Sequence, residues 1–266
     1  MTVDEWLESL PARHQAAMTR AEFLKAIRAL SARYVERHGA LPDRSPLDSA
    51  GKRAAFAGFY APLHFVTAQR VIKVIGAPDG VAALIDAGCG TGVAGAAWAV
   101  AASAPPAVNG IDLNTWVLDE ARVTWRALGL VGRSTRGNFV DTIEQLAGQD
   151  GARKDVRGKR GAAPASTGII FGWSLNELDS PTRNRARVAI ETLAGRGVRM
   201  LVLEPISRSL VPWWSEWAAA AAALGGRADE WRFADALPSV LSELSQEAGF
   251  SREELTVRSL TFNWPA

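Results

Sequence analysis

Apolar positions change their spacing once along the chain, near residue 80. Up to about Ile75 they recur at helical intervals. Phe23, Ile27, Leu30 and Tyr34 make one stripe, and Phe56, Phe59, Leu63, Val66, Val71 and Val74 a second. Gly39 and then Leu41-Pro42 end the first helix, and a loop rich in Pro, Ser and Asp spans Asp43 to Gly51. Pro62, inside the second stripe, predicts a kink or a helix start near Ala61. From Val81 onward short apolar runs alternate with helical patterns. Strands are expected at Ala82 to Ile85, Val108 to Ile111, Gly168 to Trp173, Met200 to Leu203 and Leu255 to Phe262, with a weak one at Ser134 to Gly137. Between them lie helical stretches at Val93 to Ala102, Trp116 to Leu128, Pro181 to Leu193, Pro212 to Leu224 and Leu237 to Ala248.

Alternating strands and helices predict an α/β fold with a doubly wound, mostly parallel sheet over residues 77–266, preceded by a helical extension over 1–76. Two stretches interrupt the alternation. Residues 148–167 are rich in Gly, Ala, Lys and Arg and read as a mobile basic loop. Residues 206–236 carry Trp213, Trp214, Trp217 and Trp231 and read as a Trp-rich insert. No internal repeat is present.

Composition narrows the chemistry. The 266 residues are 48% hydrophobic and 22% charged, and 30 Lys+Arg against 28 Asp+Glu leave +2, too balanced for wholesale capture of nucleic acid. One cysteine, Cys89, excludes an intrachain disulfide and a cysteine-rich metal cluster, and His14, His38 and His64 lack ligand spacing, so no metal site is expected. The longest apolar stretch, from Val93 to the alanines near Ala104, is shorter than the ~18 residues of a membrane span. Asp4, Glu5 and Glu8 are the wrong charge for a secretory n-region, so a cytoplasmic protein is expected.

The sharpest local signal is Leu84-Ile85-Asp86-Ala87-Gly88-Cys89-Gly90-Thr91-Gly92. Here a buried strand meets an acid, three alternate glycines and a helix start. Such glycines allow a tight turn and close approach of a ligand, and the helix start offers free amides to an anion. The frame Gly90-Thr91-Gly92-Val93-Ala94-Gly95 also fits the dinucleotide pattern G-x-G-x-x-G, with Asp112 near the distance of a ribose-binding acid. That alternative, a nicotinamide-dependent oxidoreductase, leaves Asp86 without a role. A ligand with an ammonium and a carboxylate explains both Asp86 and the glycines.

Asp86-x-Gly88-x-Gly90-Thr91-Gly92 resembles the first motif of class I S-adenosylmethionine-dependent methyltransferases, whose fold is Rossmann-like. The resemblance runs from about Val81 to Phe262 and implies S-adenosyl-L-methionine as cofactor. It assigns the amino-acid end of the cofactor to Asp86, Gly88, Gly90 and Gly92, and the ribose to Asp112 with Leu113 beside it. Asn138 and Phe139 fall near the adenine, and Trp173 faces the transferred methyl. Asn176 and Glu177, in Phe171-Gly172-Trp173-Ser174-Leu175-Asn176-Glu177-Leu178, become the catalytic candidates; Asn176 or Asp179 read equally well as helix caps. Because the chain ends soon after Phe262, the closing strand pair of that family is not evident.

A sulfonium already activates the methyl, so alignment contributes ~7–11 kcal/mol and a general base only about 3–5 kcal/mol. No conspicuous base is needed. The acceptor implied is a small molecule. A narrower resemblance, to methyltransferase-like proteins of the small ribosomal subunit, rests on Phe59-Tyr60-Ala61-Pro62, on Leu175-Asn176-Glu177-Leu178 with Arg183, and on Leu203-Glu204-Pro205. It implies an RNA or ribosome partner. Members of that group usually carry a metal-binding cysteine cluster, which Cys89 alone cannot form, and the run Arg153 to Arg160 has no interleaved aromatic for base stacking.

Overall fold

The computed structural model describes residues 1–36, 47–148, 166–250 and 254–265, with backbone alone for 32–36. The expected helix stop at Gly39 to Pro42, the first four residues of the loop after it, His38, the side chain of Tyr34 and the basic run Arg153 to Arg160 lie outside the described residues.

Helix α1 (Val3–Gln15) opens on a capping box. Glu5 N–H donates to Thr2 Oγ1, and Thr2 N–H donates to the Glu5 carboxylate. Helix α2 (Arg20–Glu36) buries Phe23, Ile27 and Leu30, the stripe read from the sequence. Then come α3 (Ala50–Ala55), one wide π turn (Phe56–Tyr60) and α4 (Ala61–Ile75). Pro62 sits in the first turn of α4, where its missing N–H costs nothing, and the wide turn lies directly before it. Gly58 lets this segment press on Phe23: a Cβ there would lie 2.9 Å from its ring.

Strand β1 (Ala83–Ala87) leads through the glycine turn to α5 (Val93–Ala101); β2 (Ala107–Asp112) and α6 (Thr115–Ala127) follow, then β3 (Gly132–Arg136) and α7 (Phe139–Gly148). Strand β4 (Thr167–Gly172) and α8 (Ser180–Gly195) precede β5 (Arg199–Glu204) and α9 (Trp214–Ala223). The chain closes with β6 (Arg227–Phe233), α10 (Ser239–Glu247) and β7 (Leu255–Phe262). The sheet order is β3-β2-β1-β4-β5-β7-β6. The first five strands are parallel, and β7 runs antiparallel between β5 and β6.

One apolar cluster joins α1, α2 and α4 to α5, α6 and α10 on one face, and a second joins α7, α8 and α9 to the other. The N-terminal helices thus share a core with the sheet. The central strands are apolar on both sides because both faces are covered. Among the described residues no helix is long and apolar enough to cross a membrane.

Two elements depart from the sequence reading. Residues 206–236, expected as an insert, contain α9 and the edge strand β6, so the closing strand pair is present as β6 and β7. The polar composition of β6, Arg-Ala-Asp-Glu-Trp-Arg-Phe, hid it. An edge strand keeps only half a face buried and gains from charges that block further pairing. Helix α7 was also missed, although Phe139, Val140 and Ile143 give it a buried stripe.

Candidate functional site

Strand order reverses at β1, with β2 on one side and β4 on the other. The carboxyl ends of β1 and β4 therefore flank the crevice where open α/β sheets bind ligands. The glycine turn lies there, with Gly88, Gly90 and Gly92 at φ of 71°, 51° and 77°.

The three glycines have different reasons to be glycine. A Cβ on Gly88 would lie 2.5 Å from Ser174 Cβ, and one on Gly92 2.7 Å from the Trp125 ring. Both positions are filled from within the protein. Beside Gly90 the nearest atoms are those of Phe56 at 3.7 Å, so this position alone of the three leaves room for a Cβ at ordinary contact distance. Trp125, not singled out by the sequence reading, fixes the far end of the turn. Its Nε1–H donates to Gly92 O at 2.9 Å, and its ring also fills the space left by Gly110 and Gly132.

Asp112, at the end of β2, holds the turn from the side. Its Oδ2 accepts from Gly90 N–H at 3.0 Å and its Oδ1 from Asn114 N–H at 2.9 Å. Burial pushes its carboxyl above the usual range, partly offset by these amides. Next to it Leu113 is 64% exposed, unusual for a large apolar side chain.

Asp86, expected to meet a ligand's ammonium, is fully buried. Its Oδ2 accepts from Gly95 N–H at 2.9 Å, and its Oδ1 has no partner among the described residues. It anchors the first turn of α5, and Gly95 is glycine because a Cβ would lie 2.6 Å from that carboxylate. Burial raises Asp86 to about 8, with the Gly95 amide opposing and Asp112 adding to the rise. Asn138 is committed to α7, its Oδ1 accepting from Val140 N–H at 2.9 Å. Phe139 is buried beneath the turn, edge-on to Phe171 at 6.2 Å, rather than open to an adenine ring. Phe139 adjoins the turn through packing, 3.2 Å from where a Cβ on Gly88 would lie.

Beyond β4 the chain turns sharply at Trp173, a non-glycine residue at φ 55°. Such backbone is sparsely populated and clusters at ligand sites. The Trp173 indole lies flat on His64 of α4, with centroids 4.1 Å apart and planes 10° apart. Phe56 over Gly90 and His64 on Trp173 make the N-terminal helices the roof of the crevice.

Glu204, at the end of β5, holds the next stretch: its Oε1 accepts from Leu175 N–H at 2.9 Å and from Asn176 N–H at 3.2 Å. Asn176 is half-buried, its Oδ1 without a hydrogen-bond partner among the described residues, while Glu177 is exposed. Asp179 caps α8, its Oδ1 accepting from Thr182 N–H at 2.7 Å, which settles the capping alternative on Asp179. Glu204 is fully buried and its Oε2 has no hydrogen-bond partner among the described residues. Burial raises it to about 8, opposed by the two amides and Arg183, and aided by Glu177.

A carboxyl raised on folding stabilises the native state fully below its unfolded value, and this contribution is lost as pH rises through its folded value. Glu204→Gln keeps an acceptor for both amides and cannot ionise. Between about pH 5 and pH 9 its stability is expected to rise relative to wild type by on the order of 3 kcal/mol. Urea denaturation of both proteins at the two pH values measures this. A constant difference between them would show that Glu204 is ionised throughout.

The order of the sheet, with its antiparallel strand next to the edge and a glycine turn at the switch point, defines a Rossmann-like, doubly wound α/β protein. No family model matches the chain, and no curated protein matches it. Among solved structures it is similar to a mitomycin 7-O-methyltransferase, with 16% identity and TM-score 0.48 over 98% of this chain and 74% of that one. It is also similar to an O-methyltransferase family protein from Burkholderia thailandensis, with 15% identity and TM-score 0.47 over 95% and 71%. A third is the magnesium protoporphyrin IX methyltransferase of Synechocystis with bound SAH, at 14% identity and TM-score 0.42 over 87% and 92%. Likeness this distant leaves the activity to be argued from the site.

Proposed function

We propose that this protein transfers a methyl group from S-adenosylmethionine to a small-molecule acceptor. The observation that carries the reading is the Gly90 position. Of the three turn glycines it is the one where an added Cβ would meet no close contact, and Asp112 holds its amide. The Asp112 oxygens accept the Gly90 and Asn114 amides, and a carboxylate has about four acceptor sites, so it retains capacity for a ribose hydroxyl. Exposed Leu113 beside it offers an apolar shelf of the kind a purine covers. At the start of α5 the N-cap is Gly92, which brings no capping side chain, so amides there suit a carboxylate. Asp86 contributes by fixing that helix start, and Gly88 and Gly92 by letting the turn pack on Ser174 and Trp125.

When bound, S-adenosylmethionine supplies an electrophilic methyl carried on sulfur. The residues of this chain would then orient the acceptor. Trp173 and His64 form an aromatic wall, and Glu204 sets Asn176 at the end of β4 with Glu177 at the exposed rim. Asn176 is the candidate to hold the acceptor atom and Glu177 to take its proton. Alignment outweighs proton transfer here, at ~7–11 against about 3–5 kcal/mol, so a site with one exposed carboxylate suffices. The roof made by Phe56 and His64 supports a small acceptor over a macromolecule.

Calorimetry with S-adenosylhomocysteine tests the reading directly. Saturable binding with one site per chain is expected. No heat and no thermal shift with that compound would sink it.

A further inference from the structure

Helix α8 carries arginines at alternate positions, Arg183, Arg185 and Arg187, and only the first lacks an acid. Arg185 pairs with Asp141 and Glu144 of α7, and Arg187 with Glu191 and with Glu216 of α9. The Arg183 side chain makes no hydrogen bond and no ion pair among the described residues. Its guanidinium lies 5.3 Å over the Trp213 ring, at the start of α9.

Burial outweighs the acids around it. Arg183 is half-buried, and desolvation holds its guanidinium below the usual pKa against the opposing pull of Glu204 and Asp179. Asp179 Oδ1 is taken by Thr182 N–H, and Glu204, raised to about 8 by its own burial, is neutral at pH 7. A partly desolvated cation without a paired acid favours an anion beside it.

Three polar atoms of the same neighbourhood are also unmatched. Trp213 Nε1, Asn176 Oδ1 and Glu204 Oε2 are buried without a hydrogen-bond partner among the described residues. The Trp213 ring is held by Trp217, with centroids 4.8 Å apart, rather than by its N–H. Glu204 links the group, since its Oε1 accepts from Asn176 N–H and its charge acts on Arg183. Buried polar atoms nearly always find partners, so their gathering past the ends of β4 and β5 points to a polar ligand.

We propose that the methyl acceptor is an organic oxyanion, whose carboxylate or phosphate is held by Arg183 on the Trp213 face while its methyl-accepting group meets Asn176. A guanidinium binds such groups through paired donors, and an indole beneath it keeps the planar fork in place. The role as methyl acceptor rests on the methyltransferase reading; the preference of Arg183 for an anion does not.

The test is an NMR titration of the full chain with benzoate, with phenyl phosphate and with benzamide, the neutral counterpart of benzoate. Saturable shifts of Arg183 Nε–H and of the Trp213 indole N–H are expected with at least one anion, at a dissociation constant of about 1 mM. Benzamide is expected to bind at least about tenfold more weakly. Arg183→Gln is expected to reduce anion binding to the benzamide level. Arg183→Lys, which keeps the charge without the planar fork, should weaken it about threefold. Should Arg183→Gln fail to fold, Arg183→Lys and the neutral ligand still decide. Equal binding of benzamide, no saturation with either anion, or anion binding undiminished in Arg183→Gln overturns the proposal. Calorimetry with S-adenosylhomocysteine separates the two readings. No binding of that compound, with the anion preference intact, removes the methyltransferase reading alone; normal binding of it without an anion preference removes the oxyanion acceptor alone.

Discussion

Asp112→Ala is expected to weaken S-adenosylhomocysteine binding by about 10²–10³-fold while the chain stays folded. Hydrogen bonds to a charged group are worth about 1.5–3 kcal/mol each, and the proposed ribose contact uses two. The same substitution frees the amides of Gly90 and Asn114, which loosens the turn that must meet the ligand. Asp112→Asn retains an acceptor and should fall between. Calorimetry on the three proteins gives the ranking, with circular dichroism confirming the fold. Near-normal affinity in Asp112→Ala would remove this carboxylate from the site.

The second large effect separates two glycines of one turn. Gly92→Ala places a methyl 2.7 Å from Trp125 at a φ of 77°. Left-handed backbone costs an ordinary residue about 1–2 kcal/mol, and overpacking adds about 1–3 kcal/mol. A total of about 2–5 kcal/mol is a large share of the stability of a domain, so a strongly lowered denaturation midpoint is expected. Gly90→Ala meets nothing closer than Phe56 at 3.7 Å, so its stability loss stays near the backbone term. Its methyl would sit between the turn and Phe56 at ordinary contact distance, so under the proposed function S-adenosylhomocysteine binding is expected to weaken. If Gly90→Ala binds normally, ligand does not approach the turn there.

The contrast explains what the sequence could and could not reveal. The parallel strands were legible because burial on both faces writes a continuous apolar run, as in Leu84-Ile85 or Met200 to Leu203. The glycine turn and Asp112 were legible because tight turns and strand-end acids leave few alternatives. Strand β6 was not, since an edge strand needs only alternate contacts, here Trp231 stacked on Phe233 and donating to Ser259 Oγ at 2.8 Å. The alternating Trp-x-Phe after Gly225-Gly226 was the available sign.

Individual roles were harder to read than positions. Asp86 and Gly92 stand in the motif, but one serves a helix amide and the other an indole, and neither partner is adjacent in sequence. Asn138, followed by apolar residues at helical spacing, was readable as the start of α7. The roof over the crevice depends on Phe56 and His64, and Phe56 looks like any other member of an apolar stripe until the tertiary contact is known.

Trp125 reaches Gly92, Gly110 and Gly132 at once. These four positions on separate segments are coupled through one indole: a smaller ring would open three gaps, and a methyl on any one glycine would displace the same ring. Homologous chains should therefore keep the quartet whole or replace it together, and a lone exchange at one member should be rescued only by change at Trp125.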